Sequence, residues 1–201
     1  GGTLGGPLGW PWAWFLPMLP IVQTPPSVEP CNVDAGGSAD RVAAIAVVMG
    51  ENSYPYIGRG MYVPGDTFGA PSGPTITRQM VIVESQMMVT VLINRSMNPQ
   101  LFGGVTTIAA AAARPGQFLG YATGQALLNE ASRSPNGSRE CDRLRLAAAA
   151  VDDVLANPAA REFSHRYFYW KATAYRSDDG TNVVRERYRG EFWVAGTAFH
   201  R

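Results

Sequence analysis

The chain has 201 residues, 46% of them apolar, which is enough for one well-buried core and too few to require two full domains. Its 17 Lys and Arg residues nearly balance its 16 Asp and Glu residues, so the net charge of +1 argues against a dedicated nucleic-acid-binding protein. The two cysteines, Cys31 and Cys141, form no CxxC pair and no Cys/His cluster, which argues against zinc. We expect neither a metal ion nor an organic cofactor.

Residues 1–37 are rich in Gly, Pro and Trp and are predicted to form a tail or linker. Their three tryptophans, at positions 10, 12 and 14, would be exposed in water, so we expect them to pack against the domain, a membrane or a carrier protein. Prolines interrupt the apolar stretch from Leu8 to Val22, and no basic residue precedes it. We therefore predict that this stretch is neither a signal peptide nor a transmembrane segment. A start at Gly1 instead of methionine favours a processed product or an excised fragment.

The folded domain is predicted to span residues 38–201 and to begin with a helix. Ser38 can cap this helix, apolar residues recur at helical spacing, and Glu51 lies at its C-terminal end. Residues 52–76 carry many prolines and glycines and are predicted to form a long irregular loop. Further helices are predicted at about Arg78–Ser96, between a cap at Thr106 or Thr107 and the stop at Pro115-Gly116, near Gly124–Ser132, and over Ser138–Ala156.

The C-terminal part changes to a strand-like composition. Arg166–Trp170 and Glu191–Gly196 are predicted strands, with a turn at Asp178-Asp179-Gly180 between them. The predicted fold class is therefore α+β, a mainly helical domain with a small C-terminal β-hairpin. An even cysteine count permits one Cys31–Cys141 disulfide, as suits an oxidising compartment, whereas two buried free thiols are the alternative.

Four sequence blocks occur in the order found in one known family. The first is Val42-Ala43-Ala44-Ile45-Ala46-Val47-Val48-Met49-Gly50-Glu51-Asn52, and the second is Ser85-Gln86-Met87-Met88-Val89-Thr90-Val91-Leu92-Ile93-Asn94-Arg95. The third runs from Phe102 to Ile108 and continues with Arg114-Pro115-Gly116-Gln117-Phe118, and the last is Val194-Ala195-Gly196-Thr197-Ala198-Phe199-His200-Arg201. Together these blocks resemble the SleB-type cell-wall hydrolases, the family that includes spore-cortex-lytic enzymes.

The resemblance implies a lysozyme-like fold and cleavage of peptidoglycan glycan strands, with Glu51 at the catalytic position. It favours a lytic transglycosylase, in which one Glu protonates the leaving oxygen and then serves as base for the substrate's own C6 hydroxyl. A muramidase that hydrolyses the same strands is the close competitor. The chain departs from the family after Glu51, where Ser53, Tyr54 and Pro55 stand and the family often has a second Glu.

The chemistry of glycosidic cleavage independently favours a carboxylic acid such as Glu51, because the leaving oxygen needs a proton. Without the resemblance, a surface glutamate at a helix end would be the ordinary interpretation. Glu84 is the best-placed second carboxylate, and it could serve as nucleophile, base or substrate ligand. In the alternative interpretation Glu84 only supports the site or lies on the surface of its helix. No Gly-x-Ser-x-Gly motif indicates a serine nucleophile, and Cys141 has no catalytic signature.

Four further residues are candidates for substrate binding. Gln117 and Phe118 would line the cleft, the amide as a hydrogen bonder and the ring as a stacking surface, although Gln117 could equally cap a loop. The run from Ser164 to Trp170 offers aromatic surface for a glycan, and His165 and Tyr167 within it are candidate hydrogen bonders near the acid. Alternating rings in a strand are as often part of the core.

The Gly/Pro/Trp-rich start is similar to the segment that follows the cage of Rhs-type polymorphic toxins. This second resemblance implies an antibacterial effector toxin that is exported or delivered to the periplasm or cell wall. Its partners would be peptidoglycan glycan strands, a carrier such as the Rhs cage or secretion machinery, and an immunity protein. The alternative from another class is a catalytically inactive peptidoglycan- or partner-binding module of a larger secretion assembly.

Overall fold

The computed structural model describes residues 28–63, 65–67, 70–157, 167–172, 174–176, 182–184 and 192–201, with the backbone alone in 171–172, 174–176 and 182–184. Three predictions lie outside these residues: the packing of the tryptophans at 10, 12 and 14, the role of His165, and the turn at Asp178-Asp179-Gly180. In the described part of the chain, no helix is both long and apolar enough to span a membrane.

The described residues contain five α-helices, and their starts follow from local capping. Hydroxyl side chains of Ser38, Thr77, Thr107 and Ser138 each accept a hydrogen bond from a backbone N–H in the first turn of the helix that follows. The helices are α1 (Ala39–Glu51), α2 (Arg78–Ser96), α3 (Ile108–Ala113), α4 (Tyr121–Ala131) and α5 (Arg139–Ala156). A 3₁₀ turn, Tyr54–Tyr56, lies in the loop after α1. These positions confirm the predicted helices.

Helix α4 begins three residues earlier than the prediction near Gly124–Ser132. It has no side-chain cap of its own, and the backbone N–H of its N-cap residue Gly120 donates instead to the side chain of Glu51. The start of this helix is therefore set by a tertiary contact that the local sequence does not contain.

The strands are β1 (Tyr169–Ala172), β2 (Ala174–Arg176), β3 (Asn182–Val184), β4 (Phe192–Val194) and β5 (Thr197–His200). An antiparallel three-stranded sheet has the order β1-β5-β4, and β2 pairs with β3 separately. The predicted hairpin between Arg166–Trp170 and Glu191–Gly196 is wrong in its pairing, because the chain turns at Ala195-Gly196 and β5 lies between the two strands. Ala195 adopts a φ of +51°, which supplies the tight turn. The predicted α+β class, mainly helical with a small sheet near the C-terminus, is confirmed.

Helices α1 and α2 occupy the centre of the core. Seven consecutive residues of α1, from 43 to 49, are buried, and α2 buries most of its length against α5, α3 and α1. The sheet closes one side of this core with Tyr167 and Phe199, both fully buried. Because Glu51 ends α1, its carboxylate emerges where the buried helix reaches the surface of the domain.

The predicted Cys31–Cys141 disulfide is present and joins the segment before α1 to the first turn of α5. Cys31 also donates its backbone N–H to the carbonyl of Ser134. Val33 and Ala35 pack against the core. The structure thus places residues 28–37, which were predicted as the end of the tail, against the helical domain.

Candidate active site

Glu51 lies half-buried at the C-terminal end of α1, where α4 begins beside it. Its Oε1 accepts a hydrogen bond from the backbone N–H of Gly120 at 2.6 Å, and the indole N–H of Trp170 points to Oε2 at 3.5 Å. The carboxylate is therefore held by one donor from the helical layer and faced by a second from the sheet. The two donor residues, Gly120 and Trp170, follow Glu51 in the chain by 69 and 119 positions.

Glycines make this approach of α4 to α1 possible. A Cβ on Gly50 would lie 1.9 Å from the carbonyl oxygen of Gly120, and a Cβ on Gly124 would lie 1.7 Å from that of Ala46. Both distances are far below van der Waals contact, so a side chain at either position would push the helices apart. The position of the Gly120 N–H against Glu51 therefore depends on small residues at this helix crossing.

Aromatic side chains form the surface next to Glu51. Trp170 stacks on Phe118 with the ring centroids 4.9 Å apart and the planes inclined by 26°. Phe118 is largely buried, whereas Trp170 is half-buried. The exposed part of the Trp170 ring is a flat apolar surface of the kind that can hold a sugar ring.

Arg95 supports this aromatic surface from below. Its guanidinium lies over the rings of Phe118 at 4.7 Å and Tyr169 at 5.0 Å, and it donates to the carbonyl oxygen of Phe168 and to Oε1 of Gln117. Burial lowers the pKa of Arg95 to about 10, so the group remains charged at neutral pH. Arg95 thus fixes the loop that carries Gln117 and Phe118 relative to the strand that carries Trp170.

The structure brings only part of the predicted site together. Phe118 packs against Trp170 but is itself buried between Trp170 and Arg95, so its ring is not open for the predicted stacking on a sugar. Gln117 is exposed next to it, with its carbonyl oxygen bound to Arg95. Tyr167 is fully buried and is part of the core, so its proposed contact with substrate is wrong. Sequence reasoning gave no site role to Gly120 or Arg95, and it included Trp170 only as the last ring of an aromatic run that could face a glycan. An arginine in an apolar helix was the one local signal available, because a buried charge needs partners.

Glu84 also departs from its prediction as a substrate ligand, since its side chain is fully buried. It accepts hydrogen bonds from the backbone N–H of Ser53 at 2.8 Å, from the hydroxyl of Ser53 at 2.7 Å and from the hydroxyl of Thr197. Burial raises the pKa of Glu84 to about 7, although these three donors oppose the rise. The carboxylate therefore faces protein groups and cannot meet a substrate from this position.

A concave region of about 320 Å³ lies near the C-terminal end of α1, and Glu51 is not among its lining residues. Arg143 lines it, donates to the carbonyl oxygen of Met49, and lies 5.9 Å above the ring of Tyr54. A cation at the C-terminal end of a helix interacts favourably with the helix dipole. Arg143 thus stabilises the last turn of α1, two residues before Glu51.

Searches against family models, curated proteins and solved structures find no match to this chain. Within the described ranges, no group of three or more His, Cys, Asp or Glu side chains is placed to hold a metal ion. The site must therefore be interpreted from the geometry of its own side chains.

Proposed function

We propose that this protein cleaves the glycan strands of peptidoglycan as a lytic transglycosylase, with Glu51 as its single catalytic acid and base. The observation that carries the proposal is the surroundings of Glu51. A half-buried carboxyl group at the end of a buried helix faces two N–H donors and adjoins a stacked pair of aromatic rings. This combination offers a proton donor, stabilisation of its conjugate base, and a surface for a sugar.

In the proposed reaction Glu51 first gives its proton to the oxygen of the scissile glycosidic bond, and that bond breaks. The N–H groups of Gly120 and Trp170 stabilise the carboxylate that remains. The carboxylate then takes the proton of the substrate's own C6 hydroxyl while the C6 oxygen forms a bond to C1. The product is a 1,6-anhydro sugar, and Glu51 is again protonated.

The position of Glu84 favours this route over hydrolysis by a pair of carboxylates. A hydrolysing glycosidase ordinarily uses a second carboxylate, as nucleophile or as base for a water molecule. Glu84 was the best-placed candidate by sequence, and it is enclosed in the core with all its donors supplied by the protein. The transglycosylase route needs no second carboxylate.

The proposed place of action is outside the cytoplasm, at the periplasm or cell wall. The Cys31–Cys141 disulfide supports it, because such bonds persist in oxidising compartments. Delivery as an antibacterial effector toxin, with an Rhs cage or secretion machinery as carrier and an immunity protein as inhibitor, remains part of the proposal and rests on the resemblance of the N-terminal segment.

The test is digestion of purified peptidoglycan by the wild type and by Glu51→Gln, followed by mass spectrometry of the released fragments. Wild type should release anhydro-muropeptides, which lack one water relative to hydrolysis products, and Glu51→Gln should be slower by at least ~10³-fold because both proton transfers are lost. Glu130→Gln, the same change at an exposed residue of α4, is the matched control and should keep full activity.

Each other outcome has a distinct meaning. Hydrated products would replace the transglycosylase by a muramidase. Equal activity in Glu51→Gln would remove Glu51 from the mechanism. Binding of peptidoglycan by the wild type without any cleavage would instead establish the alternative, a binding module that belongs to a larger secretion assembly.

A further inference from the structure

The residues that follow Glu51 are tied to α2 by one buried side chain. Ser53 stands two positions after Glu51, and both its backbone N–H and its hydroxyl donate to the carboxylate of Glu84, at 2.8 and 2.7 Å. Two hydrogen bonds from one residue to the two oxygens of one carboxylate fix both the position and the orientation of the chain there. The end of α1 is thus held from inside the core.

The same carboxylate also holds the sheet. The hydroxyl of Thr197, the first residue of β5, donates to Oε1 of Glu84. The N–H of the preceding Gly196 donates to the hydroxyl oxygen of Ser53 at 2.9 Å, and a Cβ on Gly196 would lie only 2.6 Å from that oxygen. The β4–β5 turn, α1 and α2 therefore meet at Glu84.

From Thr197 the sheet leads back to Glu51. Strand β5 pairs with β1 so that Thr197 lies opposite Ala172 and Phe199 lies opposite Trp170. The indole N–H of Trp170 then points at the second carboxylate oxygen of Glu51. Glu51, Ser53, Glu84, Thr197 and Trp170 form a closed ring of covalent and hydrogen-bonded connections.

The two oxygens of the Glu84 side chain match the donors that surround it. Three donors converge on the two oxygens of Glu84, and the hydroxyl of Ser53 also accepts a hydrogen bond from the N–H of Gly196. An apolar side chain would leave these donors without a partner in a dry interior, which is costly. A glutamine can serve in part, since its carbonyl accepts one N–H while the hydroxyl of Thr197 rotates.

We infer that Glu84 is a positioning residue, which sets the distance between the Glu51 carboxylate and the Trp170 indole by holding Ser53 and Thr197 at once. This inference rests on the proposed function of Glu51. It assigns Glu84 no contact with substrate and no proton transfer. A displacement of about 1 Å in such a constellation can lower a rate by ~10²-fold, so a residue that does not touch the substrate can matter for turnover.

The principal test uses Thr197→Val, which keeps the shape of the side chain and removes the sheet's hydrogen bond to Glu84. Thr106→Val, the same change at an exposed position, is the control. Glu84→Leu removes the acceptor, and Glu84→Gln serves as the conservative rescue. For each protein we would measure kcat and KM on a soluble peptidoglycan tetrasaccharide, urea unfolding, and the NMR resonance of the Trp170 indole N–H, assigned from its loss in Trp170→Phe.

Thr197→Val should lower kcat by ~10-fold or more, leave KM within about twofold, and shift the Trp170 indole resonance. Glu84→Leu should lower kcat further and shift the Trp170 indole resonance more, and Glu84→Gln should recover most of kcat. A variant that is only less stable, with kcat and the indole resonance unchanged well below its unfolding transition, overturns the inference.

The inference can fail separately from the proposed function. If the wild type cleaves peptidoglycan and Glu51→Gln does not, an unaffected Thr197→Val removes the role of Glu84 alone. If the wild type cleaves nothing, the proposed function fails. The indole resonance then still decides whether Glu84 sets the geometry between Trp170 and Glu51, because a shift in Thr197→Val supports the connection and an unchanged resonance refutes it.

Discussion

Replacing Glu84 with glutamine removes a fully buried titratable group while nearly preserving its shape. Burial raises the pKa of Glu84 from its ordinary value of 4.5 to about 7 in the folded protein. Between these two pH values the folded protein keeps a proton that the unfolded chain has released. The contribution of Glu84 to stability is therefore fully present below pH 4.5 and is lost as the pH rises through about 7.

The size of this loss follows from the pKa difference. At about 1.4 kcal/mol per pH unit, the rise from 4.5 to about 7 corresponds to ~3 kcal/mol in the free energy of unfolding. For a protein of this length that is roughly 10 °C in Tm. We expect the free energy of unfolding of the wild type to fall by ~3 kcal/mol relative to that of Glu84→Gln between pH 4.5 and pH 8.

The assay is urea unfolding of both proteins, with the disulfide intact, at several pH values across that range. Taking the difference between the two proteins cancels the titration of groups they share, including the two histidines. Asp142 and Asp152 do not disturb the window, because hydrogen bonds from arginine side chains lower the pKa of both carboxyls. If the free energies of unfolding of the two proteins depend on pH in the same way, Glu84 titrates near its ordinary value, and burial does not raise its pKa.

Two further predictions concern the frame around the site. Reduction of the Cys31–Cys141 bond, or replacement of both cysteines by Ser, should lower the free energy of unfolding by ~5 kcal/mol. The reason is that the bond closes a loop between residues 110 positions apart and so limits the conformations of the unfolded chain. Urea unfolding with and without reductant measures this, and a change below ~1 kcal/mol would contradict it. Gly124→Ala should destabilise by ~3 kcal/mol and reduce cleavage, because its Cβ would meet the carbonyl oxygen of Ala46, whereas Gly137→Ala has open space and should do neither. Thermal unfolding and the peptidoglycan assay check both variants, and equal Tm values would refute the role of this helix crossing.

Local features of the sequence were sufficient for helices α1, α2, α3 and α5 and for the position of Glu51. Caps such as Ser38 and Ser138 act on N–H groups within the next three residues, so the sequence around them contains the whole interaction. Apolar spacing placed Glu51 at the end of the first helix. The disulfide was available from the even cysteine count, although free thiols were an open alternative until the structure placed the two residues together.

The strand pairing was less accessible to the same reasoning. Composition identified strand-forming segments, but the pairing of β1 with β5 depends on a turn at Ala195-Gly196 within one predicted strand. The position of Gly196 depends in turn on its contact with Ser53, which lies 143 residues earlier. A prediction from local pattern cannot contain such a contact.

By itself the sequence determined where α1, α2, α3 and α5 begin and end and that a glutamate terminates the first of them, because those properties depend on interactions within a few residues. Tertiary structure alone decided that Gly120 and Trp170 face Glu51 and that Glu84 turns inward to Ser53 and Thr197. Such hydrogen bonds join residues far apart in the chain, and they form only once the helices and the sheet have packed.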